Sequence, residues 1–474
     1  MTFTAIFLTA ILMPAAEPSV AQTATHVSLG MNSCTASACH GGSVAATGKK
    51  REWNSSYTVW ATKDPHADAY AVLFGDRSQR IVARLVFPEK VDPQKTPKEY
   101  RSFLEKRCAT CHATIGEGRP SSDGFAEDGV SCASCHGVAG DWLGDNHAGR
   151  RAGQMKVTQQ LASRAKVCVV CHVGSPAHDG EPAREVNHDL IAAGHPRLNF
   201  EFSAYLNSLP THWDLEKDRN RVRQPDGVKK AQANFAAEVW LTGQFVAANA
   251  ALELLDARAK ADGGADKEHT WPEFSEISCY SCHHELRPQS YRQKLFQRET
   301  PANRRLPIGS LVWGTWYFPM PRHALLSQQP AEVSNEDSWH QLELAMSAIH
   351  PDSKKVLSLT GALRPKLTPP ANPLQTVARL AKSLPALRGD WDEIAQWYLA
   401  TTAWHQALRE EHLDNQKNGD PVKTSEREAA VRESQSTLEK IRGQLESPLE
   451  FDPTGETFQD AVKLLLQQLA KLEG

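Results

Sequence analysis

The ten cysteines of this 474-residue chain fall into five pairs, and each pair is followed at once by a histidine. Four of the sets read C-x-x-C-H: Cys108, Cys111, His112; Cys132, Cys135, His136; Cys168, Cys171, His172; and Cys279, Cys282, His283. The other, Cys34, Cys39 and His40, has four residues between its cysteines. With 19 histidines in the chain, chance placement behind all five second cysteines has a probability of roughly 10⁻⁷, so a chemical cause is required. C-x-x-C-H is the attachment pattern of c-type haem (heme c). Each thiol adds to one porphyrin vinyl group, and the following histidine supplies the proximal nitrogen to the iron. A four-residue spacer does the same if its loop bulges outward, so the pattern calls for five covalent haems. Competing uses of paired cysteines leave residues unexplained. Zinc knuckles and iron–sulfur clusters do not require the adjacent histidine. Five disulfides would suit an oxidising compartment but give the histidines no role.

Composition agrees with a chain that wraps prosthetic groups. Apolar residues make up 40% of it and mean hydropathy is −0.48, lean for this length. Porphyrins are themselves large apolar bodies and replace part of a side-chain core. The formal charge is −3, with no basic tract suited to nucleic acid. Two propionates per haem make the holoprotein more acidic, and Arg150 and Arg151 are candidate partners for them. Residues 1–21 read as a secretory signal peptide: the apolar run from Ala5 to Met13 is too short for a bilayer, and Ser19-Val20-Ala21 offers small residues for cleavage. No Lys or Arg precedes the run, which leaves an uncleaved anchor as the alternative. An extracytoplasmic, periplasmic location fits the haem motifs, because this cofactor is attached after export. No later segment is long and apolar enough to cross a membrane.

The elements that position these residues are expected to be mainly α. Residues 34–172, rich in Gly, Ser, Asp and Pro, predict loops and short helices wrapped on haem. Residues 231–260 read as one long helix, apolar around much of its circumference. Residues 309–326 are aromatic and irregular and are expected to pack back onto the haem region. Three further helices follow: one capped by Asp390 with Glu393, one with a capping box at Ser425 and Glu428, and the amphipathic run 457–472. The expected division is a signal at 1–21, a four-haem region at 30–175, a helical region with the fifth site at 176–295, and a haem-free helical region at 296–474.

The order and flanks of the first four sites resemble the tetrahaem cytochrome c-554 family, which relates more widely to hydroxylamine oxidoreductase and pentahaem nitrite reductase. The stretches that carry this are "WATKDPHADAY", "RCATCHA", "GVSCASCHGVAGDWLGDNHAGRRAG" and "VCVVCHVG". The chain departs from that family in its long-spaced first site, its fifth site, and the lack of a histidine shortly before Cys168. The resemblance implies that His66 and His147 are distal iron ligands, crossing to haems other than those nearest in sequence. It also implies that the second haem, at His112, is five-coordinate.

A second axial ligand decides what each haem does, since a bis-histidine iron is saturated and suits electron transfer. Methionine is scarce, six in all, which favours histidine. His188 and His195 are seven apart and share a face if helical, so they are candidates for two haems, the fourth and fifth included. His178 and His26 are reserves. His284 directly follows a proximal ligand and cannot reach the other face of the same iron. His340, His350, His405 and His412 lie in the haem-free region and read as structural or surface residues. The chain therefore reads as an electron-transfer protein working with redox partner proteins. The alternative is an oxidoreductase acting on a small nitrogen or sulfur species at one five-coordinate haem, where a small inorganic ligand binds. A third reading is a docking subunit whose tail beyond residue 300 binds a partner.

Overall fold

The computed structural model describes residues 30–43, 52–86, 90–114, 125–137, 155–156, 158–178, 182–223, 234–262, 271–284, 286, 310–327, 338–384, 387, 389–416, 421–448 and 451–473. The signal segment, His26, His147, Arg150 and Arg151 lie outside the described residues. The architecture is mainly α, with the isolated bridges Ser175–Arg184 and Ile277–Trp313. Short helices carry the motif-bearing part: α1 (Ser56–Lys63), α2 (Asp76–Leu85), α3 (Pro97–Arg107), α4 (Ala109–His112), α5 (Cys132–His136), α6 (Leu161–His172), α7 (His188–Ala193), α8 (Phe202–Ser208) and α9 (Leu215–Arg223). No helix among the described residues is long and apolar enough to cross a membrane.

The long helix expected over 231–260 is α10 (Phe235–Ala261). Asn234 caps it, accepting from the Ala237 amide at 3.2 Å and donating to the Ala407 carbonyl at 2.9 Å. Its apolar residues run around the cylinder because it is covered on several sides. It packs against α6 and α8 of the motif region. It also packs against later helices, chiefly α13 (Ser353–Leu363), α14 (Pro373–Ala381) and α15 (Trp391–Gln416).

Helices α11 (Pro319–Leu326) and α12 (Ser338–Met346) precede these, and α16 (Pro421–Gln444) and α17 (Glu456–Glu473) follow. At the start of α15 the Glu393 amide donates to Asp390 at 3.0 Å, and the Gly389 amide donates back to the Glu393 carboxylate at 3.0 Å. The capping box expected at Ser425 is absent, because α16 begins four residues earlier at Pro421 and Ser425 is interior. A proline fixes φ and needs no amide partner in the first turn, so it starts a helix as well as a capping serine does.

The aromatic stretch before α11 does pack back. Trp316 donates to the Phe200 carbonyl at 2.9 Å and Tyr317 to the Leu198 carbonyl at 2.6 Å. Arg197 pairs with Asp392 of α15 at 3.0 Å, and Thr315 donates to the same carboxylate. The apolar faces of α14 to α17 close on α10 in one core that includes Trp240, Trp397, Trp404, Phe458 and Leu465. Those faces are thus spent within the chain, which counts against the reading of the tail as a partner-docking bundle.

Candidate haem-ligand sites

A helical turn explains the C-x-x-C-H spacing. Positions i, i+3 and i+4 of a helix share one side, so two thiols and an imidazole converge. At the second motif Cys111 and His112 both donate backbone bonds to the Cys108 carbonyl at 3.1 Å. At the fifth, His283 donates to the Cys279 carbonyl at 2.7 Å. The third and fourth motifs occupy α5 and the C-terminal end of α6.

In the long-spaced first motif, a turn over Ser37–His40 takes up the extra residues. The Cys39 and Gly41 amides both donate to the Ala36 carbonyl, at 2.8 and 3.0 Å. Gly41 is required there, since a Cβ on it would lie 1.8 Å from the Thr35 carbonyl oxygen. The four-residue spacer therefore bulges as its chemistry demands.

The motifs meet one another. The Cys111 thiol of the second lies within hydrogen-bonding reach of Cys171 of the fourth. All ten cysteines are unpaired, so disulfides do not use them. Burial pushes the Cys108 and Cys135 thiols up to about 11 and those of Cys132 and Cys168 to about 12. Burial also lowers His136 and His172 to about 4, which keeps those imidazoles neutral with a lone pair free for a metal.

Three motif histidines each face an imidazole from another part of the chain. His172 and His66 have ring centres 6.0 Å apart at 77°; His112 and His195, 6.4 Å at 89°; His283 and His188, 6.4 Å at 17°. Two imidazoles on opposite sides of one metal ion have centres roughly 6 Å apart, from metal–nitrogen bonds of about 2 Å on each side plus the ring radii. The spacing is one that a bis-histidine site would require.

The rings are aimed by their other nitrogen. His66 Nδ1 bonds Asp64 at 2.8 Å, His112 Nδ1 the Ala69 carbonyl at 2.8 Å, and His195 Nδ1 the Pro196 carbonyl at 2.8 Å. His40 Nδ1 bonds the Trp53 carbonyl at 2.7 Å. Each contact commits Nδ1, the arrangement usual behind ligand histidines that bind through Nε2. The Asp64 hydrogen bond raises the His66 pKa despite its burial. Burial pushes the Asp64 carboxyl up, and its bonds to His66 outweigh that and hold it below the ordinary value.

Backbone supports place His66 further. The Val130 amide, just before the third motif, donates to the His66 carbonyl at 2.9 Å. Gly129 makes that approach possible, with φ +63° and a Cβ position 2.6 Å from the His66 and Ala67 carbonyls. These supports were not anticipated from the sequence; the Asp two residues before a candidate ligand was the one signal for them.

Two expectations change. His188 opens α7, but the helix ends at Gly194 in a left-handed conformation, so His195 lies beyond it. The two rings therefore do not lie on one helical face; they lie beside different motif histidines, His283 and His112. His195 also stands opposite His112, the motif histidine whose iron is expected to be five-coordinate, with ring centres 6.4 Å apart. Of the reserves, His178 is exposed. His405 and His412 are buried in the C-terminal helices and His350 is exposed, in keeping with structural and surface roles.

Residues 33–137 match the family model described as cytochrome c554 and c-prime. The matched stretch is similar to that family. It holds the first three motifs, and the fourth and fifth lie beyond the match. No curated protein and no solved structure matches the chain. The match supports a c-type cytochrome role in electron transfer, and the family implies covalently bound haem c. The residues present fit that group: unpaired thiols converge with neutral imidazoles. Half-open aromatic rings also flank the motif histidines, Trp53 beside His40, Tyr205 beside His172 and Phe274 near the His188–His283 pair.

Proposed function

We propose that this chain is an extracytoplasmic, periplasmic cytochrome that relays electrons through five covalently attached haems. A haem supplies a one-electron iron couple. The chain attaches the groups through Cys34, Cys39, Cys108, Cys111, Cys132, Cys135, Cys168, Cys171, Cys279 and Cys282. It holds the irons from one side through His40, His112, His136, His172 and His283. Distal ligands come from His66 to the fourth site, His195 to the second and His188 to the fifth, with His147 a further distal ligand.

The observation that carries this reading is the facing-ring geometry at three motifs, each joining a motif histidine to one remote in sequence. A histidine that fills the distal side saturates the iron and excludes substrate from it, so a relay is favoured over catalysis. The Cys111–Cys171 contact and the His188–His195 segment tie the second, fourth and fifth sites together, as a relay needs. The compartment follows from the chemistry of attachment and from the signal read at residues 1–21.

Mass spectrometry of denatured protein tests the count: five haem masses are expected on a chain beginning near Gln22. Four haems with free thiols at Cys34 and Cys39 would remove the first site. Carbon monoxide added to the reduced protein tests saturation. H195A is expected to gain a carbon monoxide-sensitive haem that the parent lacks; no gain in H195A would contradict His195 as the ligand opposite His112.

A further inference from the structure

One arginine is bonded into two haem motifs at once. Arg184 donates from Nε to the Thr110 carbonyl at 2.8 Å, across 74 positions of sequence, and Thr110 stands between the two cysteines of the second motif. Its backbone pairs in both directions with Ser175, three residues beyond His172 of the fourth motif, at 2.8 and 2.9 Å. We infer that Arg184 is a cation shared by the second and fourth haem sites and that it raises the reduction potential of both. The inference rests on the haem reading above and adds to it what sets two of the potentials.

Several contacts hold the guanidinium there. Helix α4 stops at His112, because the Thr114 amide, which would take the Thr110 carbonyl in a longer helix, donates to the Gly129 carbonyl at 2.8 Å. The Thr110 carbonyl is thus an open helix end, and an arginine is a fitting donor for it. At the fourth motif Gly174 lets the two segments close. Its φ is +122°, and a Cβ on it would lie 2.5 Å from the Arg184 carbonyl oxygen. The next residue, Glu185, pairs with Arg258 of α10 at 2.8 Å, and the Arg258 side chain is only 7% exposed. Arg184 is itself half-buried.

The second and fourth motifs are also the two whose thiols approach each other, at Cys111 and Cys171, so one charge reaches both sites. Oxidising a haem adds one positive charge at its iron. A fixed cation nearby disfavours that state, and salt screens a half-buried charge less than an exposed one. Both haems are therefore easier to reduce with Arg184 than without it. Because the charge acts on the two together, it lifts both without opening a step between them, which suits neighbouring stations of a relay.

The test is a spectroelectrochemical titration of the holoprotein and of three variants at this position. R184K is expected to keep all five midpoint potentials near those of the parent. R184Q should lower two of the five and leave three in place. R184E should lower the same two further, and it carries the test should R184Q fail to accumulate. A side chain that served only to donate to Thr110 would be replaced as well by glutamine as by lysine, so the difference between those two variants reads the charge.

No lowered midpoint in R184Q or R184E would overturn the inference. So would a shift confined to one haem, a uniform shift of all five, or equal potentials in R184K and R184Q. Peptide mapping of the parent that finds no haem at Cys108 and Cys111, or at Cys168 and Cys171, would instead count against the haem reading, a failure visible before any variant is made.

Discussion

Aromatic side chains behave differently in the two parts of the molecule. Near the motifs Trp53, Phe74, Tyr205 and Phe274 are 50%, 37%, 41% and 46% exposed, whereas Trp397 and Trp404 of the C-terminal helices are 0% and 1% exposed. The motif region buries small separate clusters, such as that around Tyr70, Tyr100 and Leu104. The C-terminal helices and α10 share one continuous core. A side-chain core must close on itself, because any gap forfeits contacts outright. A region that wraps porphyrin leaves its aromatics for the porphyrin to cover. The lean apolar content of the whole chain is thus an average over a region short of side-chain core and a region with an ordinary one.

Blocking haem attachment should separate the two regions most sharply. Produced without haem, the chain should lose protease protection throughout residues 30–223 while the segments of α14 to α17 stay protected. Equal loss in both would show that the C-terminal core depends on the haems.

The reverse perturbation is Trp397→Ala. Trp397 is fully buried and donates to the Ala381 carbonyl at 2.7 Å. Its loss should cost about 3–5 kcal/mol in denaturant unfolding of the C-terminal helices. The haem spectrum of the folded protein should be unchanged; an altered spin state would mean that the cores are coupled.

A smaller effect is expected at Gly129→Ala. A left-handed alanine costs about 1–2 kcal/mol, and here its Cβ also meets the His66 carbonyl. One low-spin haem should weaken, with the C-terminal melting transition unmoved. Asp64→Asn is gentler still. Losing the carboxylate behind His66 Nδ1 makes the imidazole a poorer donor to oxidised iron, so one haem potential should rise in a redox titration. No shift would detach His66 from any iron.

The weakest lever is pH at His405. Burial lowers its pKa, so the folded state keeps it neutral while the unfolded chain takes up a proton below about 6.5. Its contribution is present above that value and fades as pH falls toward the folded-state pKa. The C-terminal transition should soften on going from about pH 7 to about pH 5, and less so in His405→Gln.

Much of the site was legible because attachment is local. Two thiols and a histidine within one helical turn define four of the motifs, and the first differs only by a short bulge between its cysteines. Helices α10, α15 and α17 were legible for a similar reason, since periodicity and caps are short-range. The start of α16 was misplaced because two adequate start signals, Pro421 and Ser425, lie four residues apart and local preference does not rank them.

What the sequence determined by itself is the pattern: five histidines each directly follow a pair of cysteines, and scarce methionine leaves histidine as the candidate for any second ligand. Which histidine faces which was decided by tertiary structure alone. His188 and His195 looked like one helical face until Gly194 ended the helix and sent the second ring to His112. His66 reaches His172 because Val130 and Gly129 pin its backbone beside the third motif. An axial ligand is chosen through space, by whichever imidazole packing holds about 6 Å from the proximal ring. Sequence spacing carries that information only within a single turn of helix.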